Sequence, residues 1–396
     1  MHDSIVTLIA GALFGRAAST ELAIGASVAI ACALVLFVVA VPFASVVTWV
    51  ERRVWARIQS RIGPNRVGPN GFLQWLADGF KHVCKEDIIP DEADRRLFKL
   101  APYLVVLAFI LPWAVMPFSS KLILADLNIG ILYMTAITAL TVVGVLMAGW
   151  SSNNKWSLIG GIRSAAQIIS YEIPAGLSIF PVVLITGTLS MQGIIRAQEW
   201  EPYHWFIFAN PFCFAAAIIL FVSSLAENNR TPFDLPEAES ELVAGFATEY
   251  SSMRYLFFFM AEWGNMFVAA AIIVTLYLGG WQIPDVTANA AVANGLQLIV
   301  FSVKVLILVF ISMWVRGTLP RVRIDQMMSL CWKYFVPISF INMIGTAVWV
   351  AFFPRGNLAM QWAMLLFGVG VAILFAWRVI HFTRRSRMEL YFHPTI

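Results

Sequence analysis

The sequence is short of charge. Only 13% of its 396 residues are Asp, Glu, Lys or Arg, while 60% are apolar; a soluble domain has charge at about a quarter of its positions. That excludes an ordinary water-soluble protein and points to a chain that crosses a membrane many times. Cysteine is scarce too. Cys32, Cys84, Cys213 and Cys331 are far apart and form no C-x-x-C pair, which argues against an iron–sulfur or zinc site built by this chain alone and for small buried hydrophobes. His2, His82, His204, His381 and His393 give no paired set to grip a haem. The chain is therefore expected to hold no metal and no redox cofactor of its own. Its net charge of +4 predicts no nucleic-acid partner, because the cations gather on one side of the membrane rather than along a groove. The start "MHDSIVTLIAGALFGRAAST" is acidic, unlike a cleaved signal, and reads as a surface-lying amphipathic segment.

What is present is apolar runs. A hydrocarbon core of about 30 Å takes about 20 helical residues, and nine runs meet that length: 22–50, 100–118, 127–150, 164–188, 205–226, 252–280, 295–315, 330–353 and 361–383. The expected fold is all-α, a polytopic transmembrane bundle of about nine spans forming a single membrane domain over 1–396, with no internal repeat. Pro42, Pro112, Pro174 and Pro337 fall inside runs and predict kinks. The loops 51–99, 151–163, 227–254 and 316–323 and the tail 384–387 carry 20 Lys and Arg; the opposite face has four, Arg16, Lys121, Arg196 and Arg355. The positive-inside rule then puts the N-terminus outside and the C-terminus in the cytoplasm.

Two cytoplasmic loops are conspicuous. Residues 51–99 combine ten cations with seven acids around a Gly/Pro/Asn turn region, a mixed-charge surface suited to docking a protein. The segment "LAENNRTPFDLPEAESELVAGFATEY", residues 225–250, sets Glu227, Asp234, Glu237, Glu239, Glu241 and Glu249 against the single cation Arg230. The pattern predicts a helix from Glu237, with Leu242, Val243, Phe246 and Tyr250 on one arc and Glu239 inside that arc. A carboxylate there is costly unless protonated, paired or hydrated. Two readings stay open: a proton-responsive group, or a capping cluster paired with Arg230 and Arg254.

Three ionisable residues fall at membrane depth, Glu172 in "IISYEIPAG", Glu262 in "FFFMAEWGNM" and Lys304 in "FSVKVLIL", about 12–15 Å into their runs at 1.5 Å per residue. Each costs about 2.5–3.5 kcal/mol on insertion scales. A water-filled proton route, a ligand site and a buried ion pair all remain possible reasons. With the acids of 227–249 the three would form a route inward from the cytoplasmic face, better suited to protons than to metal ions. The 30 Phe and 15 Trp are mostly packing or lipid-facing residues, compatible with a slot for a flat, tailed ligand.

The stretches "ERRVWARIQSRIGPNRVGPNGFLQWLADGFKHVCKEDIIP", "MAGWSSNNKWSLIGGIRSAAQIISYEIP", "LAENNRTPFDLPEAESELVAGFATEYSSMRYLFFFMAEWGNM" and "WVRGTLPRVRIDQMMSLCWK" closely resemble the H-type membrane subunit (subunit 1) of proton-pumping NADH–quinone oxidoreductase, respiratory complex I. The resemblance covers roughly residues 22–350 and implies an all-α, cofactor-free subunit of an enzyme complex in the bacterial inner membrane. Quinone is its substrate, and FMN and iron–sulfur clusters lie in partner subunits. The implied partners are the hydrophilic subunits next to the terminal iron–sulfur cluster and small neighbouring membrane subunits, besides lipid. By the resemblance, Glu172, Glu227, Asp234, Glu237, Glu239, Glu241, Glu249 and Glu262 form a proton path. Glu51, Arg52, Arg61, Asp78, Lys81, Arg230, Arg254 and Phe259 serve quinone binding and docking. The family core of eight spans corresponds to 22–353, including loops 51–99 and 227–251. The run at 361–383 is an extra, peripheral span, and Asn228 stands where the family commonly has Thr. Three other readings compete: the homologous subunit of a membrane-bound hydrogenase-like complex, a free-standing proton-coupled transporter, which the missing inverted repeat disfavours, and a purely structural scaffold.

Overall fold

A computed structural model describes residues 41–236, 239–284, 289–353 and 356–392. All regular structure among them is helical, as the apolar runs predict. In chain order the helices are α1 Val41–Ile58, α2 Gln74–Cys84, α3 Arg95–Ile110, α4 Gly130–Ser151, α5 Lys155–Thr186, α6 Met191–Ala197, α7 Pro211–Glu227, α8 Ser252–Tyr277, α9 Ala290–Thr318, α10 Ile324–Phe352 and α11 Leu358–Phe392. Short 3-10 turns lie between them at Pro69–Gly71, Pro202–His204 and Gly245–Ala247.

Local chemistry sets the helix ends. Asp94 accepts from the amides of Arg96 and Leu97 at the start of α3, Asn154 from Trp156 at the start of α5, and Asn210 from Cys213 at the start of α7, where Pro211 occupies the first turn. Gly187 ends α5 in the left-handed region, φ 66°, with its amide on the Val183 carbonyl. Within α10, residues 330–335 widen into a π turn just before Pro337, which has no N–H to give an α-helical bond.

Six of these helices are long and apolar enough to cross a membrane, namely α3 with its 3-10 extension to Ala114, α4, α5, α8, α9 from Val292, and α10. Helix α7 and the Leu358–Leu374 part of α11 are shorter apolar helices. The chain is a polytopic helical membrane protein. The N-terminal amphipathic segment and most of the run 22–50 lie outside the described residues. The rest of that run belongs to α1, which continues to Ile58, so Glu51 and Arg52 are helix residues rather than loop residues.

Helix α5 begins nine residues before the apolar run expected from 164, because the Asn154 cap nucleates it in the polar stretch ahead of the run. Glu172 therefore lies about 25 Å from the start of α5 and about 21 Å from its end, deeper than its run implied. Helix α5 packs along α4, α7 and α10, while α3 lies between α4 and α8. Small residues allow the close crossings: a Cβ on Gly161 would sit 3.2 Å from Gly149 Cα across α4 and α5. Outward faces are apolar, as at Ile341 and Ile344 on α10 and Leu366 on α11. Helix α11 rests on the 202–209 turns and α7 through Tyr203–Trp362 and Phe214–Phe367 ring contacts. Of the cysteines, Cys213 and Cys331 are buried as expected. Cys84 is exposed, because it ends the surface helix α2.

Candidate functional site

The site begins where α7 stops. Asn229 adopts φ 49°, its amide bonds the Ala226 carbonyl and the Arg230 amide bonds the Leu225 carbonyl. This is the Schellman pattern, with asparagine at the left-handed position. It leaves Glu227 on the last helical turn and folds Arg230 back into the bundle.

Arg230 is 2% exposed. Its guanidinium lies 4.0 Å from the centre of the Trp263 ring, with Nη1 3.4 Å from Glu51 Oε1 and Nε 3.1 Å from Glu262 Oε1. Arg316, at the end of α9, donates to the same Glu51 oxygen at 2.8 Å and stacks on Trp55 at 4.4 Å. Two carboxylates and two guanidiniums thus balance in a buried cluster drawn from α1, the 228–230 turn, α8 and α9. Such burial is tolerated only because each charge has an opposite one at contact. Hydrogen bonding is incomplete even so: Glu51 Oε2, Arg230 Nη2 and Arg316 Nε are buried with no bonded partner among the described residues. Asp234 carries the charge pattern outward, 3.6 Å from Arg321.

Through Glu262 the cluster borders a small cavity, which shares part of its wall with a larger one. The smaller, of about 30 Å³, is bordered by Glu227, Asn228, Asn229, Glu262 and Asn265. The larger, of about 330 Å³, lies among α4, α5, α7 and α8 and is bordered by Glu172, Glu227, Thr138, Asn228 and Asn265 among mostly aliphatic side chains. Thr141, Glu227, Asn228 and Asn265 border both. Glu262 and Glu227 thus share the smaller cavity, and Glu227 and Glu172 the larger.

The segment that follows α1 is fastened to the start of α8. Arg52 pairs with Asp78 at 2.6 Å and Arg254 with Asp87 at 3.0 Å. Ser252 Oγ donates to the His82 carbonyl at 2.9 Å, and the His82 ring stacks on Tyr255. Burial, reinforced by neighbouring Lys81, holds the His82 imidazole below its ordinary range. Phe259 is half-buried against Tyr255. Lys81 and Arg61 face solvent, Arg61 bonding Gln59 at 2.7 Å.

The acidic segment departs from the helix expected of it. Glu237 and the side chain of Glu239 lie outside the described residues. Helix covers one turn, Glu239–Leu242, and then breaks at Val243, φ 65°, and Gly245, φ 55°. The cause is an approach from α5: a Cβ on Gly160 would sit 2.7 Å from Gly245 Cα and from Phe246 N, so the chain flattens against it. Leu242, Phe246 and Tyr250 are buried, but the break turns Val243 out to 61% exposure. Tyr250 O–H donates to the Phe98 carbonyl, and burial raises its phenol to about 12. Glu241 pairs with Arg163 at 2.7 Å and Glu249 accepts from Asn154 at 2.6 Å. The described contacts of Arg230 and Arg254 run to Glu51, Glu262 and Asp87, not to the Glu237–Glu249 cluster.

Lys304 does not join the polar route. Its Nζ donates to the Leu278 and Gly280 carbonyls at 2.7 and 3.1 Å and lies over the Trp205 ring, capping the far end of α8 about 24 Å along the helix from Glu262. Three participants carry little signal in the sequence. Arg316 reads there as a topological cation, Trp263 as packing and Asn265 as nothing in particular; only Trp263 is flagged, by its place beside a mid-membrane Glu.

Fold and site define a class: a many-span helical membrane protein whose interior holds a buried ion-pair cluster beside two cavities with carboxylates on their walls. A family model described as NADH dehydrogenase matches residues 30–347. The H subunit of NADH-quinone oxidoreductase from Anaeromyxobacter dehalogenans is 52% identical over 374 residues, 89% of this chain and 90% of its own length. Those of Chlorobaculum tepidum and Rickettsia prowazekii are 47% and 48% identical over 76% and 75% of this chain and 86% of their own lengths. The chain belongs to the NADH dehydrogenase family, among the H subunits of NADH-quinone oxidoreductase. It is thus a transmembrane subunit of an enzyme, the quinone-reducing translocase of the respiratory chain, and works beside other subunits of that complex.

Proposed function

We propose that this subunit converts quinone reduction at its cytoplasmic loops into proton movement through its interior carboxylates. The observation that carries the reading is that Glu262 of the Glu51–Arg230–Glu262–Arg316 cluster shares the small cavity with Glu227, which shares the larger one with Glu172. A charge change near Glu51 or Asp234 shifts the balance at Arg230, and hence the hold on Glu262, because charges interact strongly where water is scarce. The smaller cavity has Glu227, Glu262 and three Asn side chains on its wall beside Val105, Val145, Phe246 and Phe258, and about 10–15 Å³ is enough to hold a water, so a bridging water can pass a proton between Glu262 and Glu227. From there the larger cavity leads to Glu172. Glu237, Glu239, Glu241 and Glu249 with Asp234 form the outer part of the path; Arg52, Arg61, Asp78, Lys81, Arg254 and Phe259 belong to the quinone and docking surface.

In this reading the soluble subunits that carry the terminal iron–sulfur cluster dock on loops 51–99 and 227–251, with FMN and further clusters beyond them. Small membrane subunits flank the bundle, and this chain supplies no redox group. Nine spans place the N-terminus outside and the C-terminus in the cytoplasm of a bacterial inner membrane. The core is 22–353, and 361–383 is a peripheral addition.

The test is Glu227→Gln and Glu262→Gln in the whole complex, reconstituted in liposomes. Proton uptake driven by NADH should fall about tenfold or more, equivalent to about 1.4 kcal/mol of barrier. Normal turnover with normal pumping in both variants would refute the path.

A further inference from the structure

The larger cavity also reaches the outer surface of the bundle sideways. Leu132 on α4 and Phe180 on α5 border it and are 55% and 48% exposed, so it opens between these two spans on the outer side of the bundle. Its wall is mostly aliphatic, and it has two carboxylates, Glu172 and Glu227, with no Lys, Arg or His. Neither carboxylate has an ion pair or hydrogen bond with a described residue, unlike Glu51 and Glu262 nearby. The wall is open at Gly176, where a Cβ would meet no atom within 4 Å. A volume of 330 Å³ lies within the range that small ligands occupy.

We propose that this cavity is a lateral binding site for a single-tailed amphiphile with a protonated primary amine, its ammonium between Glu172 and Glu227 and its tail along Ile179 and Val183 to the mouth. An ammonium has three donors and a full charge to offer two carboxylates and the Asn265 amide. An alcohol of the same length has one donor and no charge. A fatty acid would bring a third carboxylate to the pair. A two-tailed phospholipid overfills the space and sets its phosphate against the glutamates. The tail supplies the route, since the ligand arrives through the acyl region that the mouth faces. The site is defined by the shape and charge of the cavity and does not rest on the proton path.

The test uses the whole purified complex in nanodiscs without NADH, so that its outcome is separate from that of the pumping experiment. The probe is dodecylamine carrying a mid-chain diazirine, compared with the matching dodecanol, with crosslinks mapped by mass spectrometry. The amine is expected to label cavity-facing residues such as Thr135 and Ile179 at least tenfold more than the alcohol. Excess unlabelled dodecylamine should suppress that labelling, and Gly176→Leu, which fills the cavity, should remove it. Equal labelling by the alcohol, labelling confined to lipid-facing positions such as Leu140 and Ile169, or absence of labelling overturns the proposal. If Gly176→Leu prevents assembly, the amine-to-alcohol ratio in the unaltered complex decides alone.

Discussion

Replacing Arg230 by Met in the assembled complex should be among the most damaging single changes in this subunit. Arg230 is the described cation in contact with Glu262, at 3.1 Å, whereas Glu51 retains Arg316 at 2.8 Å. The cost therefore falls on Glu262, whose side chain is only 14% exposed. Stripping one partner from a buried pair costs about 3–5 kcal/mol, and the stacking on Trp263, worth about 2 kcal/mol when desolvated, overlaps with that figure rather than adding to it. A loss of about 3 kcal/mol lowers the ratio of native to denatured complex at least about 100-fold. Thermal melting followed on native gels reads this directly. Arg230→Met/Glu262→Gln should recover most of the loss, because it removes both members of the pair. Arg230→Lys should lie between, keeping the charge without the planar fork that reaches two carboxylates. A single variant that melts within about 1 kcal/mol of wild type, or a double variant no better than the single, would refute the assignment of Arg230 as the charge that holds Glu262.

Three further outcomes follow from the same structure. Gly160→Ala drives a Cβ to 2.7 Å from backbone atoms of Gly245 and Phe246, so overpacking should cost about 1–3 kcal/mol and displace the 239–250 segment, seen as faster limited proteolysis there and lower quinone turnover. His82→Gln should flatten the acid limb of the stability curve. With the folded imidazole held below its ordinary 6.5, the unfolded chain takes up this proton first, so the stabilisation is whole above about pH 6.5 and fades as pH falls below it. Lys304→Met removes two charge-assisted bonds to the end of α8, each worth about 1.5–3 kcal/mol. The complex should melt earlier while protons moved per NADH stay the same; reduced pumping would return Lys304 to the path.

The membrane class and most spans were legible because hydropathy alone decides them. Glu172 and Glu262 were legible as candidates because a charge in an apolar run needs a reason. Pairing was not. Glu51 and Arg316 are 265 positions apart, and no periodicity links residues that meet only when α1 and α9 pack against α8. The wheel over 237–250 failed for a related reason, since it assumes an unbroken helix and cannot register Gly160 arriving from another helix. Lys304 resembled Glu172 and Glu262 in sequence depth, yet depth along a helix does not fix which end of the bundle a residue occupies.

If the interior carboxylates couple the two reactions, at least one of them must change its protonation when quinone is reduced. The most direct measurement is the redox-triggered infrared difference spectrum of the complex, comparing the carboxylic C=O region of wild type with that of Glu227→Gln. A band present in wild type and absent in the variant, compared at equal extents of quinone reduction, is the predicted result. Identical spectra would contradict it.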